Sequence, residues 1–271
     1  MRKGMLALVV LGLITAGVAQ ADWSNGFETD MSGWFTPTRV ASGTNGIASA
    51  SGDFHAHAIA TGYEFTRWGG YNYGAGNAVA TIFKEYYTSV DVYLNVDGGW
   101  ANNTRFDWSS AINNSGGTHL ADFIFNAGFY NDSTGPGAGT DRFVISASNN
   151  SQPGSAYAKN PGRDPIAISN TGWYTFQHHF YDDGGVLAVD MSIYDAYDAL
   201  VKEWTLSTMA SISGVGGNRY GWFDYSEFST LAFDNSSLTL APAGAPVPEP
   251  ASMGILGMGL LGLVVTRMRR R

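Results

Sequence analysis

Between Asp22 and Leu240 the chain is built from short runs in which apolar and polar side chains alternate. Tyr174, Phe176, His178 and Phe180 alternate with Trp173, Thr175, Gln177, His179 and Tyr181; further on, Leu187, Val189, Met191 and Ile193 alternate with Ala188, Asp190, Ser192 and Tyr194. A period of two places successive side chains on opposite faces of a strand. Joined by Asp182-Asp183-Gly184-Gly185, the two runs predict a hairpin. Pairing Tyr181 with Val186 sets Phe180 opposite Leu187, His178 opposite Val189, Phe176 opposite Met191 and Tyr174 opposite Ile193. Only His178 interrupts the hydrophobic side chains of that set. The other face takes Trp173 with Tyr194, Thr175 with Ser192, Gln177 with Asp190 and His179 with Ala188. A slip of one residue would mix the two sets, so the faces are pinned.

Ser89 to Val96 alternates in the same way, with Val90, Val92, Leu94 and Val96 on one face. Ala121–Tyr130, Arg142–Ser148, Leu231–Asp234 and Leu238–Leu240 supply further strands. Gly, Asn, Asp and Ser clusters separate them, with no amphipathic helix, no repeat of fixed period and no Pro/Ser-rich break. The expectation is one all-β domain over 22–240, a β-sandwich. Composition agrees: 14% of residues are aromatic and only 14% charged, which supports a large core and excludes disorder. The absence of cysteine excludes disulfides, thiolate metal sites and a cysteine nucleophile.

The two ends carry a different pattern. Arg2 and Lys3 precede an apolar run from Met5 to Val18 and then Ala19-Gln20-Ala21. This is a secretory signal peptide over 1–21, with signal peptidase cutting between Ala21 and Asp22. At the other end a Pro/Ala linker, 241–246, leads to Val247-Pro248-Glu249-Pro250, an uncharged stretch over 251–266, and a basic tail, 267–271, with Arg267, Arg269, Arg270 and Arg271. As a helix the uncharged stretch would measure about 24 Å, slightly short of a bilayer core of about 27–30 Å. Snorkelling arginines extend it and hold the tail in the cytoplasm. The three parts in this order resemble the PEP-CTERM sorting signal of Gram-negative bacteria. The resemblance implies an exosortase partner that processes the chain near Pro248-Glu249-Pro250. It also implies an inner-membrane intermediate and a final place at the cell surface, in the outer envelope or in the extracellular matrix. Nine basic residues face 23 acidic ones within 22–250, a net charge of −14. That balance excludes nucleic acid as a partner and repels anionic surfaces.

Asn25-Gly26-Phe27-Glu28, with Gly33-Trp34 after it, and the closing Phe233-Asp234-Asn235 resemble the first and last strands of jelly-roll carbohydrate modules, a concanavalin-like sandwich. The resemblance implies that these strands lie side by side and that Glu28 and Asp234 hold calcium. The competing reading makes both acids turn and edge residues that accept backbone N–H groups. No other cofactor is required.

No catalytic motif is present: no His-Glu-x-x-His, no Gly-x-Ser-x-Gly and no phosphate loop. Asp91 and Asp107, next to Trp108, are the first acid pair to test for glycosidase geometry. His55-Ala56-His57 sets two imidazoles on one face of a strand as a possible metal pair, against the commoner reading of two edge histidines. Trp100, Trp108, Tyr130 and Trp222 lie beside Gly, Asn and Asp clusters and make a candidate platform for stacking sugar rings, against the competing reading of core packing. The expected function is that of a non-catalytic exported protein contacting exopolysaccharide. A glycan hydrolase and a purely structural matrix protein stay open as alternatives.

Overall fold

A computed structural model describes residues 23–58, 64–66, 82–150, 157–224 and 226–241, with 64–66 and 224 as backbone only. The signal peptide, its cleavage point at Ala19, Ala21 and Asp22, and the tail from Val247 to Arg271 lie outside these residues. In chain order the strands are β1 (Trp23–Asn25), β2 (Trp34–Phe35), β3 (Thr38–Ala41), β4 (Phe54–Ala58) and β5 (Glu64–Thr66). Then follow β6 (Tyr86–Leu94), β7 (Thr104–Asn114), β8 (His119–Tyr130), β9 (Arg142–Asn149) and β10 (Ile166–Ile168). The last five are β11 (Gly172–Asp183), β12 (Val186–Asp195), β13 (Leu200–Ser211), β14 (Val215–Asp224) and β15 (Leu231–Leu240). They form two antiparallel sheets. The eight-stranded sheet runs β13-β12-β11-β6-β15-β4-β3, with β1 also on β15, and the seven-stranded sheet runs β10-β9-β8-β7-β14-β5-β2. The first strand lies against the last, with Trp23 opposite Leu238. The expected all-β sandwich is what the chain forms.

The sheets meet through aromatic side chains. Phe176 and Phe180 of β11 reach across to Phe125 and Phe123 of β8, edge to face, with centroids 5.1 and 5.5 Å apart. Trp34, Trp108, Phe223 and Phe233 fill the other half of the core, and all four are buried. Edge-to-face contact suits the ring quadrupoles. The single polar member of the hairpin's inner face, His178, is fully buried and its Nε2–H donates to the Phe123 carbonyl at 3.0 Å.

The hairpin corrects the sequence reading in one respect. Its turn is the two glycines alone, with Asp183 opposite Val186, so Phe180 faces Val189, His178 faces Met191 and Phe176 faces Ile193. β11 runs two residues further towards the turn than the pattern suggested, to Asp183, while β12 begins at Val186 as expected. Gly184 and Gly185 both hold positive φ, 62° and 95°, the requirement of a two-residue hairpin turn. The Asp182 carboxylate accepts the Gly185 N–H. Moving the turn shifts the pairing by two residues, an even number, so both faces keep their members.

The two outer faces differ. That of the seven-stranded sheet is covered along β9, whose eight residues are all buried. Over it the loop after β8 folds back onto Arg142, whose guanidinium donates to the carbonyls of Asp132, Thr134, Pro136 and Thr140 and to the Asp132 carboxylate. The outward residues of β6 and β11 stay half-buried along the whole strand. That open face is where the chain meets solvent with ordered, rigidly carried side chains.

Candidate functional site: the open face of the eight-stranded sheet

Five strands in register line up their outward side chains in rows. One row reads Thr239, Tyr87, His179, Asp190, Thr205, and the next reads Ser237, Ser89, Gln177, Ser192, Glu203. Neighbours within each row hydrogen-bond across the strands. Thr205 Oγ1 donates to Asp190 at 2.7 Å and Ser192 Oγ to Glu203 at 2.9 Å, while Ser89 and Ser237 share a bond of 2.8 Å. No lysine or arginine stands in either row. The strands that pack the core with one face thus present hydroxyls, an amide, carboxylates and rings with the other.

His179 is the centre of this face. Its ring stacks on Tyr87 at 4.1 Å and 8°, and on Tyr181 at 4.9 Å and 26°. Nε2 lies 2.7 Å from Glu85, and Nδ1 lies 3.8 Å from Asp190. Partial burial works against the imidazolium, but Asp190 and Glu85 outweigh it and raise its pKa. The Tyr181 hydroxyl, half-buried and donating to the Asp190 carboxylate, is pushed up to about 12. The result is a rigid strip of three stacked rings bounded by acceptors.

Further along the same face the segment between β3 and β4 folds over the sheet, and there the two acids assigned to calcium are found. Glu28 accepts the backbone N–H groups of Asp53 and Phe54. Asp234, fully buried, accepts those of Ala50, Ser51 and Asn235. Gly52, at φ 60°, leaves no room for a Cβ because the Glu28 carboxylate occupies that space. Burial pushes Asp234 up to about 7; its backbone donors oppose this and the neighbouring Asp91 adds to it. The groups directed at both carboxylates are N–H donors, the wrong polarity for a cation. Among the described residues no three His, Asp or Glu side chains gather to hold a metal. The pair therefore fits a hydrogen-bonded clasp on the 48–54 loop and does not fit a calcium site. A melting temperature unchanged by chelator is the expected outcome, and a drop reversed by calcium would restore the metal reading.

His55 and His57 lie under the same loop, buried, with their Nε2 atoms 3.0 Å apart in a mutual hydrogen bond and Ser49 bonded to His55 Nδ1. The four rings singled out from the sequence do not form a platform. Trp108 is fully buried, stacked on Trp34 and tilted against Phe223, because Phe106, Trp108 and Ile112 share the core face of β7. Tyr130 is 3% exposed and lies beneath Lys159. Trp222 sits beside Tyr220, on the side of β14 away from the buried Phe223. Trp100 is on the β6–β7 loop, bonded to the Asn95 carbonyl and packed on Phe228. The cavity it lines with Tyr93, Asn95 and Thr230 measures about 60 Å³, room for a few waters and too small for a sugar ring. Asp91 and Asp107 stand on the outer faces of different sheets, opposite Thr175 and Asn126 respectively, and share no cleft. Sequence reasoning passed over Tyr87, His179 and Tyr181, although the alternation had already placed His179 with Gln177, Thr175 and Asp190 on the outward side.

Residues 246–271 match the PEP-CTERM protein-sorting motif. The match covers Val247-Pro248-Glu249-Pro250, the uncharged stretch and all four terminal arginines. The motif marks an exported, envelope-targeted protein sorted by an exosortase. Among the described residues no helix is long and apolar enough to cross a membrane. No curated protein matches the chain in sequence. Solved structures match the chain at low identity. A carbohydrate esterase from the Shiga toxin-encoding bacteriophage phi24B is 11% identical, with a TM-score of 0.46 over 82% of this chain and 99% of that one. The CBM2 module of the evolved Dit of a Lactobacillus casei phage is 13% identical, with a TM-score of 0.40 over 80% and 93%. A Griffonia simplicifolia lectin is 7% identical, with a TM-score of 0.39 over 81% and 99%.

Proposed function

We propose that the PEP-CTERM motif delivers a non-catalytic glycan-contacting domain to the cell surface or extracellular matrix, and that the open face of the eight-stranded sheet is its contact surface. The observation that carries this reading is the Tyr87-His179-Tyr181 stack set among Gln177, Asp190, Glu203 and a lattice of hydroxyls. Flat rings take up the C–H faces of sugars, and carboxylates and amides accept or donate to their hydroxyls. The side chains are already hydrogen-bonded to one another, so binding orders little that was free. The net charge of −14 and the absence of cations in the rows direct the surface to uncharged polysaccharide. The exported protein on a glycan array is expected to retain neutral polysaccharides and release no reducing ends. Tyr87→Ala and Tyr181→Ala should each weaken retention about tenfold, the equivalent of about 1.4 kcal/mol. Release of reducing sugar would replace this reading with a hydrolase, and no retention at all would leave a structural matrix role.

Sorting has its own expected outcome. Exosortase processing near Pro248-Glu249-Pro250, after signal peptidase has removed 1–21, leaves a mature form that begins at Asp22 and ends near Pro250. Intact-mass measurement of the protein recovered from the cell surface checks this. Arg271 still present on that form would refute processing while leaving export intact.

A further inference from the structure

Among the described residues eight large apolar side chains stand more than a third exposed, and four of them belong to one edge strand and the turn that leads into it. Tyr197 is 90% exposed, Leu200 55%, Val201 38% and Met209 78%. β13 ends the eight-stranded sheet, and no described strand pairs with its outer edge. Long apolar edges recruit further strands, and proteins that stay monomeric blunt them with charge. β13 has one Lys and one Glu in twelve residues, so it is a neutral segment on a domain whose net charge is −14. A second copy of this acidic chain therefore meets the least repulsion here.

The strand's own geometry indicates how a copy would join. Pairing with β12 is regular from Lys202 to Ser207, with irregularities on both sides. The Ser207 carbonyl accepts from the Asn149 side chain of the other sheet, so it points away from β12. In a regular antiparallel ladder Glu203 and Thr205 then turn their N–H and C=O groups the same way, outward. The strand is held from behind, where Trp204 Nε1 donates to the Arg163 and Asp164 carbonyls. We infer that β13 is a self-association edge: a second copy pairs with it antiparallel about a two-fold axis at Thr205, joining two eight-stranded sheets into one. Continued past the regular stretch, that register brings Val201 of each copy towards Met209 of the other and Leu200 towards Ala210 at the two irregular ends of the strand, so exposed apolar positions meet twice. Because the axis is perpendicular to the sheet, both open faces end on the same side.

The chain has no cysteine, which gives a clean background for the test. Hydrogen-bonded partners in an antiparallel pair are about 5.5 Å apart at Cα, inside the range a disulfide spans. The full chain in detergent is expected to be dimeric by light scattering. Thr205→Cys should give a covalent dimer on mild oxidation, whereas Ile82→Cys, also at an exposed position but off the strand, should not. Val201→Asp combined with Met209→Asp should weaken dimerisation at least tenfold while the far-ultraviolet circular dichroism keeps the all-β signature of a folded domain, since both positions are more than a third exposed in the single copy. A monomer at every concentration would overturn the inference. So would a dimer that the two aspartates leave intact and that Thr205→Cys fails to lock.

Discussion

Phe180→Ala is expected to lower the unfolding free energy by about 3–5 kcal/mol, the range for an aromatic removed from a core that cannot close over the gap. The site is rigid on every side. Phe180 is fully buried, stacked on Tyr86 at 4.5 Å and 12° and meeting Phe123 edge-on at 5.5 Å. Its strand is held by β12 on one side and β6 on the other, so the backbone cannot sink into the cavity. Domains of this kind hold about 5–15 kcal/mol in total, so one ring is a large share. Gln177→Ala, on the same strand but turned outward, should change stability by less than about 1 kcal/mol. Urea titrations of the two variants decide it, and equal costs would mean that the two faces of β11 have been exchanged.

That contrast also shows what the sequence made legible. The hairpin faces followed from alternation alone, and they survived a mistaken turn because the pairing moved by an even step. Where both faces of a strand are covered, alternation disappears. β9 reads Arg-Phe-Val-Ile-Ser-Ala-Ser-Asn and is buried throughout, so its run announces a strand but not which side chains face the core. β7 went unread because Ser109, Ser110 and Ala111 are small on either face; the apolar positions Phe106, Trp108 and Ile112, two and four residues apart, were the signal that placed Trp108 inside. β13 escaped because an edge strand packs one side only in part.

The site was less legible than the fold, for a physical reason. An exposed ring and a buried ring have the same neighbours in sequence, and Gly, Asn and Asp clusters mark the ends of strands as often as they mark binding surfaces. The Tyr87-His179-Tyr181 stack joins two strands 92 residues apart, and only their register brings the rings together. The Glu28 and Asp234 clasp is a similar case. Proximity of the first and last strands was readable, but whether the carboxylates meet a cation or N–H donors is set by the 48–54 loop that folds between them. Loop backbone direction leaves no trace in residue type.

Acid is expected to destabilise the domain between pH 6.5 and about 4, through histidines that folding keeps neutral. Burial pulls His178 down to about 3, the bond to the Phe123 carbonyl only partly offsetting it. Burial, reinforced by the nearby His57, pulls His55 down to about 4, and burial lowers His57 as well. Each binds a proton when unfolded below pH 6.5 but not when folded, so the stability each contributes is complete above 6.5 and is lost as pH falls through the folded value. At pH 5 the loss is about 2 kcal/mol for His178, and His55 and His57 add to it in the same direction. Asp234 acts in the opposite sense. Its pKa is raised to about 7 when folded, so the folded state holds a proton that the unfolded chain releases above about 3.8, and this contribution fades as pH rises through 7. Asp91, raised by burial, acts with Asp234, so two acids temper the loss of stability that three histidines impose on acidification. Removing a histidine should flatten the curve. His178→Leu gives up the Phe123 bond at every pH, which displaces the whole curve downward, but the stability it retains should fall less steeply from pH 6.5 to 4 than in the parent. Denaturant titrations at half-unit pH steps separate the displacement from the slope, and parallel curves would show that His178 takes up its proton in the folded core as readily as in the open chain.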